Sequence, residues 1–394
     1  MEDSVPSQLE ADVPLGSFLS GGLDSATVTG FAQQARRRSG EAIRSFTVRF
    51  ASPDFDESGR ARAIARDLGT RHTEVDGQQV RFDRPFLDRF IGALGEPFGD
   101  TSALAVYLLC LAARPHVKVA LSGDGGDEIF LGYTDIWKQQ WARRSGIVPR
   151  RLRQLVRTAT RGRRSSALRR LHKYAHLSLL DGPGVIIDWS RRWDWQMLGG
   201  LLADEVFTQL FPDPEEPFPE VRAIIGDGRR GGFLEQYSRF HMLVDLPCDN
   251  LQKVDRMSMA HGLEVRVPLL SNDLLEYAGH LPLPLWKRGR RTKEPLRTLS
   301  ETLAPTLAGP APKHGFSFPI DAWLRNDLAR HWRAWELTAR LAGIGFIPTE
   351  IDRLVEEYSG AASGQDSYRT GTLAVRLFDL MLVALWVERH GIRS

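Results

Sequence analysis

Over the first third of the chain, short apolar runs alternate with longer segments whose apolar residues recur every three or four positions. VPLGSFLS at 13–20, IRSFTVRF at 43–50, RHTEV at 71–75 and HVKVALSG at 116–123 read as strands. Between them, GGLDSATVTGFAQQARRR turns into a helix near Leu23. SGRARAIARDLG forms a second helix with Gly69 as its stop, and residues 102–114 form a third. Strands separated by helices predict an α/β fold: a Rossmann-like, parallel twisted sheet with helices on both faces. Ligands of such sheets bind at the carboxyl ends of the strands, where two glycine-rich turns fall here.

Beyond residue 134 the pattern becomes helical. Residues 1–134 read as a nucleotide-binding α/β core, 135–235 as a helical insertion and 236–394 as a helical, substrate-side region. A Pro/Glu-rich surface loop is expected at 212–220, with helices from there to the C-terminus. The most apolar late segment, Leu373 to Val387, is interrupted by Arg376 and Asp379 and is too short to cross a bilayer, so it predicts a buried helix and no membrane span. The N-terminus has no basic region followed by an apolar stretch, which makes the cytoplasm the default location.

Composition narrows the picture further. A length of 394 residues allows one large or two ordinary domains, and a net charge of +3 is too small to argue for a nucleic-acid partner. Cys110 and Cys248, alone and far apart, exclude a disulfide scaffold and argue against structural zinc. Of 52 basic residues only 7 are Lys. Where Lys is kept in so Arg-rich a chain, a compact point charge is the expected reason, and Lys253, Lys293 and Lys313 all fall among the motifs of the second half. Residues 149–173 hold many Arg and no acid. Such a run can dock an acidic partner or nucleic acid, but a solvated helical face is the commoner meaning and the one expected here.

Ser20-Gly21-Gly22-Leu23-Asp24-Ser25 sits between a strand and a helix. Its glycines let backbone N–H groups turn towards an anion, the helix adds its positive end, and Ser20 and Ser25 add hydroxyl donors. Asp24 is out of place beside a phosphate unless a divalent cation lies between them, which points to Mg²⁺. The chain lacks GxxxxGK followed by Ser or Thr, so this is no Walker loop. Ser122 to Glu128 repeats the logic on a later strand: Gly123, Gly125 and Gly126 are interleaved with Asp124, Asp127 and Glu128. One strand-turn with anion donors and another with carboxylates together predict a Mg²⁺–nucleotide site.

DVPLGSFLSGGLDS, SFTVRF with a following Asp-Glu, VALSGDGGDEIFLGY, DNLQKVDRMSMAHGLEVRVPLL and PKHGFSFP occur here in one order. In that order they resemble the synthetase domain of glutamine-dependent asparagine synthetases, within the ATP-pyrophosphatase superfamily, over about residues 5 to 325. The resemblance implies that ATP and Mg²⁺ are used to activate a small carboxylate as its adenylate, which ammonia or another amine then attacks, releasing AMP. It implies that Ser20, Gly21, Gly22, Leu23, Asp24 and Ser25 hold the pyrophosphate. The backbone of Phe18, Val48 and Ser122-Gly123 would surround adenine and ribose, and Asp24 and Asp127 would bind Mg²⁺. Asp124 matches an acid, often Glu, that helps complete the reaction. Lys313 matches a lysine that steadies the adenylation transition state, with His314-Gly315-Phe316 as a mobile cover, and Lys293 matches a second lysine near the phosphates. Lys253, Asp255, Arg256, Glu264 and Arg266 fall in a segment read as a helix-and-turn wall of the substrate pocket. A buried ion network is the favoured role for Glu264 and Arg266.

The chain departs from that family at its start. Glu2 stands where the glutaminase nucleophile, a cysteine, follows the initiator Met, and no glutaminase domain precedes the phosphate loop. A glutaminase on a separate subunit, a free-standing ligase using ammonia or an amine, and a truncated reading frame all remain open. Relatives that close β-lactam rings or lasso peptides keep the substrate open as well. A non-catalytic subunit is opposed by the complete phosphate loops. A tRNA-thiolating enzyme is favoured slightly by the basic run and opposed by the lack of a suitable cysteine pair.

Overall fold

The computed structural model describes residues 1–37, 40–77, 82–161, 166–213, 216, 218–226, 232–281, 286–288, 291–309, 318–360 and 367–392. The four expected strands form as β1 (Leu15–Phe18), β2 (Arg44–Arg49), β3 (Arg71–Asp76) and β4 (Val119–Leu121), joined by a fifth, β5 (Glu264–Arg266). All neighbours pair in parallel, in the order β3-β2-β1-β4-β5. The chain winds outward from β1 to β3, then returns to the other side of β1 for β4. The strand order therefore reverses between β1 and β4, and a crevice opens beyond their carboxyl ends.

Both faces of this sheet are covered, as the pattern requires. On β4, Ala120 points into a core with Phe46, Phe90, Leu104 and Leu108, while Val119 and Leu121 point into a second core with Val28, Phe31 and Tyr237. Helix Leu23–Arg37 lies on one side and helix Ser102–Ala113 on the other. Helix Ser58–Leu68 ends at Gly69, whose φ of 74° is the left-handed stop expected there. The late apolar segment is a buried helix, Ser367–His390, with Leu377, Phe378, Met381 and Leu385 in the first core. Among the described residues no helix is long and apolar enough to cross a membrane.

Three local expectations change. Helices do not run unbroken to the C-terminus. β5 joins the main sheet, and Lys287–Arg288 pairs antiparallel with Arg291–Thr292. At three residues β5 is too short to show an alternation; it forms because an open edge of β4 is there to pair with. Helix Pro219–Ile225 starts inside the segment expected as loop, with Pro219 at the helix start, where a missing N–H costs nothing. Between 135 and 235 the described elements are helices apart from one isolated bridge at Leu202. The basic run folds as helices Arg150–Thr160 and Ser166–Leu177. They lie against each other through Arg157 and Thr160, which meet His172 and His176. This pair is solvated, as expected, but it also leaves Leu152, Leu155, Leu168 and Leu171 exposed.

Candidate functional site

Both glycine turns project into the crevice at the strand reversal. The first follows β1. Its Ser20 and Ser25 hydroxyl oxygens are 2.9 Å apart, the Ser20 amide donates to Ser25 Oγ at 3.1 Å, and the Gly22 amide donates to Ser20 Oγ at 3.1 Å. The Gly21 amide donates to Glu57 Oε2 at 3.3 Å, and Arg60 Nε donates to the Gly21 carbonyl at 2.9 Å. The second turn follows β4 and runs against the first. A Cβ on Gly123 would lie 2.5 Å from the Ser25 nitrogen, so only glycine lets the two turns touch.

Their contact brings the acids together. Lys293 Nζ is bonded to Asp24 Oδ2 and lies 2.8 Å from Asp127 Oδ1, so one ammonium joins a carboxylate from each turn. Its stem crosses the face of Gly132, where a Cβ would collide with both Lys293 Cε and Asp127 Oδ1. Burial alone would lower the Lys293 pKa, but the Asp24 and Asp127 charges raise it above the ordinary lysine value. Asp124 is turned back to its own turn, accepting from the Ser122 hydroxyl, and burial holds its carboxyl above the usual range. Burial raises Glu128 as well, although the Tyr133 hydroxyl donates to it; Asn250 Nδ2 donates to the same oxygen at 2.9 Å.

A second ion cluster forms the far wall. Lys253 Nζ donates to Asp100 Oδ2 at 2.6 Å and to Asn250 Oδ1 at 3.1 Å, with Asp249 at 4.0 Å. Burial pulls the lysine pKa down, but Asp100 and then Asp249 outweigh it and leave the value raised. Burial and the Asp100 charge push Asp249 up to about 7. Asp249 and Asn250 belong to the π-helical stretch His241–Leu251, which carries Pro247 inside it. Such wide turns re-aim side chains and occur often at functional sites.

These groups line one cavity of about 570 Å³, within the range of small-molecule sites. Phe18, Ser20, Gly21, Gly22, Leu23, Asp24, Ser25, Val48, Ser122, Gly123, Asp124, Asp127 and Lys293 all border it. Lys313 and the following His-Gly-Phe lie outside the described residues. Lys253 borders the cavity too, whereas Glu264 and Arg266 do not. The latter two pair at 2.6 Å on β5, and Arg266 holds the carbonyls of Gln8 and Glu10; the pair is structural, but the Glu264 side chain is 57% exposed, so the network is not the buried one expected. Arg256 sits 3.4 Å from Glu96, away from the cavity. Sequence reading missed Asp100, Arg60 and Arg297 on the cavity wall. Asp100 lies outside every motif, and the two arginines are indistinguishable by type in an Arg-rich chain.

The donor chemistry suits a nucleotide-borne magnesium ion. Among the described residues no group of three or more His, Cys, Asp or Glu could hold a metal alone. Two hard carboxylates would need phosphate oxygens to complete a shell, which is how Mg²⁺ is usually bound at such sites.

A parallel sheet with two glycine turns meeting at its reversal point, one rich in donors and the other in acids, defines an α/β fold of the ATP-pyrophosphatase type. The chain belongs to the asparagine synthase family, whose model matches residues 1–388. Asparagine synthetase (glutamine-hydrolyzing) 1 of Bacillus subtilis is 27% identical over 334 residues, covering 83% of this chain and 50% of that protein. A Mycobacterium tuberculosis protein named provisionally as an asparagine synthetase (glutamine-hydrolyzing) is 28% identical over 387 residues, covering 98% of this chain and 56% of its own length. An amidase of Gibberella zeae is 26% identical over 428 residues, 99% of this chain and 61% of the amidase. The chain thus spans about half the length of the curated relatives it matches.

Proposed function

We propose that this chain is an ATP-dependent, amide-forming ligase that activates a carboxylate as its acyl-adenylate, with aspartate and ammonia as substrates and asparagine, AMP and pyrophosphate as products. The observation that carries this reading is the meeting of the two turns, which sets Asp24 and Asp127 on one buried ammonium beside the Ser20–Ser25 loop. In this reading the loop amides and the start of helix Leu23–Arg37 hold the pyrophosphate, an anion at a helix N-terminus. Phe18, Val48 and Ser122-Gly123 hold adenosine. Asp24 and Asp127 hold Mg²⁺, which when bound supplies positive charge to the leaving pyrophosphate. Lys293 and Lys313 add charge that grows in value as the transition state develops. The substrate carboxylate attacks the α-phosphorus, and ammonia then displaces AMP from the acyl carbon. Asp124, its pKa raised by burial, is suited to take a proton from the attacking amine. Ammonia comes from solution or from a glutaminase.

Purified protein given ATP, Mg²⁺, aspartate and ammonium is expected to release AMP and pyrophosphate. ADP as the sole nucleotide product would overturn the reading. One departure supports testing a wider substrate range: Asp124 stands where the resembled family often has Glu. A panel of carboxylates and amines, including substrates carrying their own amine as ring-closing relatives use, separates asparagine synthesis from other amidations.

A further inference from the structure

Lys293 is held unusually. It lies between a two-residue strand and helix Glu294–Leu303 with φ of 58°, one of three described non-glycine residues at positive φ. A long, flexible side chain does not need a constrained backbone unless its end point matters. That end point is a buried ammonium shared by Asp24 and Asp127, which belong to different turns. Opposite it, the loop amide of Gly21 meets the carboxylate of Glu57. Each polar half of the cavity is thus already matched by a side chain of opposite sign.

We infer that Lys293 is an internal counter-ion that holds the cation position between Asp24 and Asp127 in the nucleotide-free protein, and that a divalent ion binds there only by displacing it. This rests on the reading above that these two carboxylates bind the ion. The consequence is an order of binding. An ion arriving alone would take both carboxylates and leave a buried ammonium without the two anions it is bonded to, which is strongly unfavourable. An ion arriving with a polyphosphate brings the lysine a new partner, so ion and nucleotide bind together far better than either does alone. The same exchange frees the Gly21 amide, because the polyphosphate replaces Glu57 there.

Mn²⁺ is a suitable probe, since the free ion gives an electron paramagnetic resonance signal that bound ion loses. For the full chain, Mn²⁺ is expected to bind weakly alone and at least about tenfold more tightly with a non-hydrolysable ATP analogue, within the usual range of coupling between sites. Lys293→Met removes the competitor. The variant is expected to bind Mn²⁺ alone about tenfold more tightly than the parent, with the benefit from nucleotide reduced. It should melt earlier than the parent without metal, because two carboxylates then face each other, and Mn²⁺ should restore it. Lys293→Gln, which keeps a polar end, covers the case in which the methionine variant does not fold. If the parent binds Mn²⁺ equally well with and without nucleotide, or if neither variant gains affinity for Mn²⁺ alone, Lys293 is not a counter-ion in this sense. Asp127→Asn separates the two levels. Unchanged Mn²⁺–nucleotide binding in that variant would remove the ion site itself. Lost binding there, combined with no gain at position 293, would remove only the role of the lysine.

Discussion

The nucleotide cavity and the helix pair 150–177 are both dense in charge, and they are built in opposite ways. In the cavity each lysine meets an acid from a distant part of the chain: Lys293 reaches Asp24 across 269 positions and Lys253 reaches Asp100 across 153. Both lysine side chains are at most 9% exposed. In the helix pair, Arg150, Arg151, Arg161 and Arg170 are exposed and form no ion pair among the described residues. No acid occurs between Asp135 and Asp181, so local partners do not exist. Charge density alone therefore says little about role. What separates the regions is whether the fold carries opposite charges to one another in a desolvated place, where their interaction is strong and expensive to break. Exposed guanidiniums are worth little individually and are screened by salt.

The sharpest way to break this comparison is Asp127→Asn. In the cavity it is expected to reduce pyrophosphate release by about 100-fold or more, since charge aimed at a transition state is worth most where water is excluded. The fold should hold, because Lys293 keeps Asp24 as its partner. A large drop in melting temperature without ligand would instead mark Asp127 as structural.

A packing contrast comes next. Leu108→Ala, on the helix covering the sheet, should cost about 2–5 kcal/mol in urea unfolding, as buried Leu-to-Ala changes do. Leu155, 66% exposed, should cost under about 0.5 kcal/mol on the same change. A larger loss at Leu155 would show that the helix pair is covered in solution.

Asp249→Asn tests the electrostatics of the cavity wall. Its carboxyl titrates at about 7 in the fold, against 3.8 ordinarily, so the folded protein binds the extra proton between those values. Stability linked to this group is full below about 3.8 and is lost as pH rises through about 7. The asparagine variant should therefore match the parent near pH 4 and melt a few degrees higher at pH 8. The opposite trend would mean that the ionised Asp249 is stabilised by Lys253. The smallest effect is expected in the helix pair: Arg150→Glu with Arg151→Glu should leave pyrophosphate release unchanged within error. A clear loss of turnover would tie that surface to catalysis.

By itself the sequence determined the elements whose signals are local. Alternating strand and helix periods gave four of the five sheet strands, Gly69 ended its helix, and the apolar run at 373–387 became a buried helix. The glycine turns were equally legible, because a backbone that must expose N–H groups needs residues without Cβ at fixed spacing after a strand. Scarcity made Lys253 and Lys293 conspicuous, and both line the cavity. Tertiary structure alone decided what these parts meet. β5 exists as a partner for β4, since three residues carry no period of their own. Asp100 joins the cavity because helix Ser102–Ala113 starts there against Lys253, and Glu57 comes to Gly21 because β2 lies beside β1. Lys293 stands between Asp24 and Asp127 only because the strand order reverses between β1 and β4, which lays one turn on the other. Periodicity and turn chemistry are properties of a few adjacent residues. The pairing of charges across hundreds of positions is a property of topology, which no local window contains.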